Sequence, residues 1–271
     1  FSCGEDVNAP SKKIMVERKR LTASDKWSNI LIENATNFSN NDDCKLGNFF
    51  TVKRGIATGD NDFFVVNMDT IEKYHIPKKF LKPVLPSPRF LKENIILSDN
   101  EGNITLEQKQ FLFSCGLPED ILKEKYPSVW EYIQEGIKRG TNKGYICSHR
   151  PLWYFCEDRK PAPFVIPYMG RGDSSKKMFR FILNKTKAIT TNVYLLLYPK
   201  ENYSKCLTDT NLLNEVWQTL NEVTSEQFAI NGREYGGGLH KLEPKELLNI
   251  KVPTLSSLLM PRQSFYEPTL F

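Results

Sequence analysis

Three short apolar runs constrain this chain most: Phe164-Val165-Ile166, Phe179 to Leu183, and Val193 to Tyr198. Each is rich in β-branched or aromatic residues and bounded by Pro, Gly or Asn, which fits strands better than helices. They belong to a stretch, residues 144–198, that also holds His149, Arg150, Trp153, Tyr154, Arg159, Lys160, Tyr168, Arg171, Lys176, Lys177, Arg180, Lys185 and Lys187. Strands joined by loops bearing cations and aromatics present a basic, stackable surface suited to phosphates and base edges. A solvated basic face on a β-rich core has the same signature, so this stretch alone leaves both readings open.

The rest of the chain is mixed. Residues 24–33 begin like a capped helix, and the polar run 34–43 marks a boundary. Residues 46–66 read as strand, turn, strand, with Gly55 and Gly59 permitting a tight turn. A helical turn is expected at 69–75. The four prolines of 76–90 rule out a long helix there and make a rigid strip carrying Lys78, Lys79, Lys82 and Arg89. Short strands are expected at 94–98 and 110–113. Residues 119–139 have apolar positions at helical spacing, with Pro127 set to kink or split them. A second helix is expected over 209–228 with Asp209 as N-cap, and a short one from Pro244.

At 271 residues the chain is long enough to bury one large or two small cores. Its 40% hydrophobic and 12% aromatic content is that of a globular protein, not a disordered one. A net charge of +5 permits a nucleic-acid partner without demanding one, since charge concentrated on one face matters more than the sum. The six cysteines form no C-x-x-C pair, which argues against structural zinc; free thiols in a reducing cytoplasm are expected. No apolar run approaches the ~20 residues of a membrane helix. The chain begins with Phe1 rather than Met, and is expected to be part of a longer protein.

Three segments carry a family resemblance. Residues 148–164, SHRPLWYFCEDRKPAPF, then Tyr168-Met169-Gly170-Arg171, then 181–199, FILNKTKAITTNVYLLLYP, resemble the target-recognition domain of adenine-N6 DNA methyltransferases of the TaqI and PstI/BsuBI type. Residues 52–66, VKRGIATGDNDFFVV, resemble that family's G-I-x-T-G-x-N-x-F-F entry to the domain. Residues 232–253, GREYGGGLHKLEPKELLNIKVP, resemble its closing G-R-x-Y-G-G-G-L-x-K-L-E-P-K-E-L segment. The three occur in the family's order and cover most of residues 46–253.

The resemblance implies a mixed α/β (α+β) fold: a twisted, largely antiparallel sheet with helices around it and a C-terminal helical segment. It implies a lead-in over residues 1–45, a recognition domain over 46–203 and helices packing on it over 204–271. The implied partners are double-stranded DNA and a separate methyltransferase domain of a bacterial restriction–modification enzyme, which would hold S-adenosylmethionine and the flipped adenine. This chain itself has no N-P-P-Y loop and no glycine-rich cofactor turn, so methyl transfer cannot be assigned to its residues. It also shows no G-x-S-x-G, no H-E-x-x-H and no convincing nuclease pattern.

Lysine and arginine would position the duplex through phosphates, and a few side chains would read base edges. The candidates are Lys53, Arg54, His149, Arg150, Tyr154, Tyr168, Arg171, Asn184, Lys185 and Asn192. Arg150 and Glu157 are close enough in sequence to pair with each other instead, and Trp153 reads as core. Two rival readings remain: a specificity subunit of a multi-subunit restriction enzyme, and the recognition part of a fused nuclease–methyltransferase.

Overall fold

The computed structural model describes residues 44–259 except 107–108 and 173–176, together with residues 2, 3, 9, 12, 13, 15 and 18. The helix expected at 24–33 lies outside the described residues. In chain order the strands are β1 (Ser2–Cys3), β2 (Lys12–Lys13), β3 (Phe50–Arg54), β4 (Val65–Val66), β5 (Leu81–Val84), β6 (Ile95–Ile96) and β7 (Gln110–Phe113). They continue with β8 (Phe164–Pro167), β9 (Met169–Arg171), β10 (Ile182–Asn184), β11 (Tyr194–Pro199), β12 (Arg233–Tyr235) and β13 (Leu239–Lys241).

The central sheet has the order β3-β11-β8-β10-β6. Every neighbouring pair is antiparallel except β10 with β6. Its middle strands are the apolar runs at 164 and 194: β8 is buried throughout and β11 along its first four residues. Burial on both faces explains why these strands read as continuous apolar runs rather than as an alternation. Two smaller antiparallel sheets flank it, β4-β7-β5 and β12-β13-β9. The mixed α/β, largely antiparallel architecture implied by the resemblance is therefore the one adopted.

Three apolar clusters hold the sheets together. The largest joins β3, β8, β10 and β11 to the helices Thr210–Leu220, Ser225–Asn231, Pro244–Leu248 and Pro253–Leu259, through Val216, Leu220, Phe228, Leu247 and Leu255. A second gathers Phe63, Phe64, Phe113, Tyr132 and Tyr154 under the helix Pro127–Lys138. The third lies on the other side of the central sheet, around Leu85, Leu91, Val165 and Tyr194. Burying each such side chain contributes on the order of 1.5–3 kcal/mol before the entropy of ordering it is counted.

Several expected elements differ in detail. Leu46–Phe49 and Asn61–Phe64 are single helical turns rather than strand ends. The Asp60 carboxylate accepts hydrogen bonds from the Asp62 and Phe63 amides and caps the second of them, which no alternation of apolar residues would reveal. Pro127 splits its region as expected, into Glu119–Lys125 and Pro127–Lys138. The helix expected over 209–228 breaks into Thr210–Leu220, capped by Asp209, and Ser225–Asn231, where Thr224 and Gln227 form a capping box.

Candidate nucleic-acid interface

One residue, Tyr168, carries the chain from the central sheet to the β12-β13-β9 sheet. Its amide donates to the Val193 carbonyl at 2.8 Å on one side, and its own carbonyl accepts from the Leu242 amide at 3.1 Å on the other. The phenol sits in a cluster of charges. Tyr168 Oη donates to Glu243 Oε1 at 2.7 Å and accepts from Arg54 Nη2 at 2.5 Å. Arg54 Nη2 also pairs with Glu243 Oε2, and Lys241 Nζ lies 3.0 Å from Glu243 Oε1. The Arg54 guanidinium stacks over the Tyr168 ring, 4.6 Å from its centroid.

Glu243 is the electrostatic centre of this cluster. Burial opposes its ionisation, but hydrogen bonds from Tyr168, Arg54 and Lys241, and the Arg54 charge, outweigh that and hold its carboxyl at about 2. The same contacts raise Lys241 above the ordinary lysine range: hydrogen bonds with Tyr168 and then Glu243 are the main causes. Glu243 has a second task as the N-cap of Pro244–Leu248, where its amide donates to Glu246 Oε2 at 2.8 Å.

Beside the cluster opens a groove of about 850 Å³, lined by Arg54, Ser87 to Arg89, Pro167 to Arg171, Lys177 to Arg180, Asn192, Val193 and Leu239. Five of these residues are cationic, namely Arg54, Arg89, Arg171, Lys177 and Arg180, and no carboxylate is among the described residues that line it. They are not equivalent. Arg54 is engaged by Glu243. Lys177 donates to the Asn221 carbonyl at the end of a helix. Arg180 donates to the carbonyls of Leu91, Lys92 and Glu93 and to Asn94 Oδ1. Arg89 and Arg171 are exposed, and neither has an ion-pair partner among the described residues.

Of the ten residues selected from the sequence, Arg54, Tyr168, Arg171 and Asn192 meet at this groove. Lys53 does not, because successive residues of a strand point to opposite faces and its neighbour Arg54 takes the groove side. Lys185 is half-buried away from it, following β10. His149 is exposed elsewhere, its ring centroid 4.5 Å from that of the exposed Tyr145.

Three of the ten are corrected by their surroundings. Tyr154 is 1% exposed and donates to the Leu117 carbonyl at 2.8 Å, so it is a core residue with its hydroxyl satisfied. Asn184 is 5% exposed; its amide donates to the carbonyls of Ala162 and Ala188 while its Oδ1 accepts from Thr186. Arg150 pairs not with Glu157 but with the chain itself, donating to the Ala57 carbonyl at 2.6 Å and stacking over Phe64. Glu157 pairs with Arg159 instead. Trp153 packs on Phe63 and Phe64, as its reading as core requires.

The sequence reading missed Glu243 and Lys241 as partners in the cluster, and it left Arg89 on a solvent-facing connector. The signal lay in the segments themselves: 52–66, 148–199 and 232–253 are far apart along the chain, yet all three supply residues to the cluster or the groove. Among the described residues no cluster of His, Cys, Asp and Glu fits a metal ion, and no helix is long and apolar enough to cross a membrane. Cys44, Cys115, Cys147, Cys156 and Cys206 are free thiols.

Residues 24–265 match the family model of the C-terminal domain of the type II methyltransferase M.Eco57I. The chain belongs to this family. It is similar to the type II methyltransferase M.AccI of Acinetobacter calcoaceticus, at 29% identity over 72% of this chain and 34% of that protein. It is also similar to the type II methyltransferase M.XamI of Xanthomonas campestris pv. amaranthicola, at 25% identity over 93% of this chain and 44% of that one. The chain thus spans less than half the length of these relatives. A solved structure of the type IIL restriction–modification enzyme MmeI in complex with DNA is similar over 61% of this chain and 21% of that one, at 12% identity and a TM-score of 0.35. The cationic groove and the Arg54–Tyr168–Glu243 cluster both lie within the residues that match this family.

Proposed function

We propose that this chain binds duplex DNA sequence-specifically, as the target-recognition part of an adenine-N6 DNA methyltransferase of a restriction–modification system. The observation that carries the reading is the groove: five cations converge on it, no described lining residue is acidic, and Arg89 and Arg171 have no ion-pair partner among the described residues. Exposed cations gathered without counter-charges raise the local potential and suit a phosphate backbone. Asn192 beside them has the donor and acceptor pair that reads an adenine edge, and Arg171 the fork that reads a guanine.

In this reading the catalytic work belongs to the length that M.AccI and M.XamI have beyond the matched region. That part would hold S-adenosylmethionine, the source of the transferred methyl, and receive the flipped base. This chain's residues orient the duplex. Arg54, held by Glu243 and Tyr168, supplies a fixed cation at the groove wall, while Arg89 and Arg171 supply adaptable ones.

The test is salt-dependent binding of the chain to duplex DNA, measured by anisotropy. Affinity is expected to fall steeply with salt, each neutralised phosphate contributing about 0.9 to the log–log slope. A slope near zero with retained affinity would remove the groove as a phosphate site.

A further inference from the structure

An exposed aromatic residue stands next to the cationic groove, outside the apolar clusters of the described residues. Phe90 is 70% exposed, between Arg89, which lines the groove, and Leu91, which is 2% exposed and packed in a core cluster. Singly exposed aromatics are ordinary on protein surfaces. The support beneath this one is not. Upstream, the Leu85 amide donates to the Ile189 carbonyl at 2.9 Å, and buried Tyr194 donates from its hydroxyl to the Pro86 carbonyl at 2.6 Å. The tip itself is a closed turn, in which the Phe90 and Leu91 amides both donate to the Ser87 carbonyl, at 2.8 and 3.2 Å. Downstream, the single guanidinium of Arg180 gathers the carbonyls of Leu91, Lys92 and Glu93 and the side chain of Asn94. Pro86 and Pro88 restrict what freedom is left.

An arginine taken from a cationic groove to fasten four acceptors of a neighbouring turn is a costly use of a charge, unless the turn must be stiff. A rigid tip carrying Arg-Phe beside a phosphate-binding groove has the chemistry of a DNA wedge. The cation grips the backbone, and the apolar ring enters between two base pairs and unstacks them.

We infer that Phe90 is an apolar wedge that enters one base step of the bound duplex, with Arg89 on the adjoining phosphate and Arg180 as the positioning residue that stiffens the turn. The step it enters is a pyrimidine–purine step, TA or CA/TG, because these unstack most readily. Phe90 thereby adds sequence preference without a hydrogen bond to any base. This rests on the groove being the DNA site.

The test uses the 271-residue chain and a pool of random-sequence duplexes with fixed flanks, captured by the protein and sequenced, alongside the salt slope and melting temperature of each variant. Wild type is expected to enrich a motif with a TA or CA/TG step at one fixed position. Phe90→Ala is expected to lose the preference at that step while keeping the rest of the motif, the salt slope and the melting temperature. Phe90→Trp is expected to restore it, and Arg89→Ala to lower the salt slope by about one. Three results overturn the wedge. One is that Phe90→Ala enriches the same motif, step included, which leaves the groove reading standing. Another is that Phe90→Ala melts well below wild type, which makes the ring structural. Wild type that neither binds nor enriches duplexes removes the groove reading and the wedge together.

Discussion

At the scale of single residues, Arg171 and Glu243 make opposite predictions. Arg171 is exposed at the end of β9, and its side chain has no ion-pair partner among the described residues, so the fold has little use for its charge. Arg171→Ala is expected to weaken duplex binding by roughly 1–3 kcal/mol, read by anisotropy, with no change in melting temperature. A lowered melting temperature with intact binding would make it structural. Glu243 is the reverse case, joined to Arg54, Tyr168 and Lys241 and to the first turn of a helix. Its carboxyl titrates near 2 in the fold, below the ordinary 4.5. A depressed pKa means that the folded state binds the proton less well than the unfolded state. The stability it contributes is therefore complete above pH ~4.5 and is lost as the pH falls toward 2. Glu243→Gln is expected to lower stability at neutral pH and to flatten this part of the acid-denaturation profile, measured by circular dichroism from pH 6 to 2. A variant whose acid profile matches wild type would show that the cluster carries no net stability.

At the scale of elements, glycine positions separate packing from turn chemistry. Gly55 lies where β3 leaves the central sheet, and a Cβ there would stand 2.0 Å from the Thr191 carbonyl oxygen. Gly55→Ala is expected to cost about 1–3 kcal/mol or more, since backbone rather than a side-chain end must move. Gly236, at the tip of the β12–β13 hairpin, has open space around its Cβ position and is expected to accept alanine with little effect on a melting curve. The elements themselves were largely legible in the sequence: β8, β11 and β7 fall on their apolar runs, and Pro127 splits its helix. What was not legible depends on contacts remote in sequence. Tyr154 has the composition of a surface aromatic and is core only because Leu117 meets its hydroxyl. Asn184 has the composition of a base-reading amide and instead ties Ala162 to Ala188. The meeting of Arg54 and Tyr168 at the groove was foreshadowed by the family's segments, whereas Glu243 was hidden because its proline neighbour marks it as a helix start.

At the scale of the whole molecule, the largest core is shared between the strands and the last four helices. Val216, Leu220, Phe228, Leu242, Leu247 and Leu255 meet Phe164, Leu183 and Leu197 within one cluster. A chain ending at residue 203 would expose that face of the sheet, and is expected to give no cooperative melting transition; a sharp one would show that the sheet folds without the helices. The groove has a similar dependence in time. Arg54 and Glu243 are 189 residues apart in sequence, and their cluster closes only when both exist. At a synthesis rate of about 5–20 residues per second, Glu243 follows Arg54 off the ribosome by roughly 10–40 s. For that interval Arg54 is without the carboxylate that holds it, so on the proposed reading the growing polypeptide has charge enough to cling to nucleic acid before its recognition surface is complete.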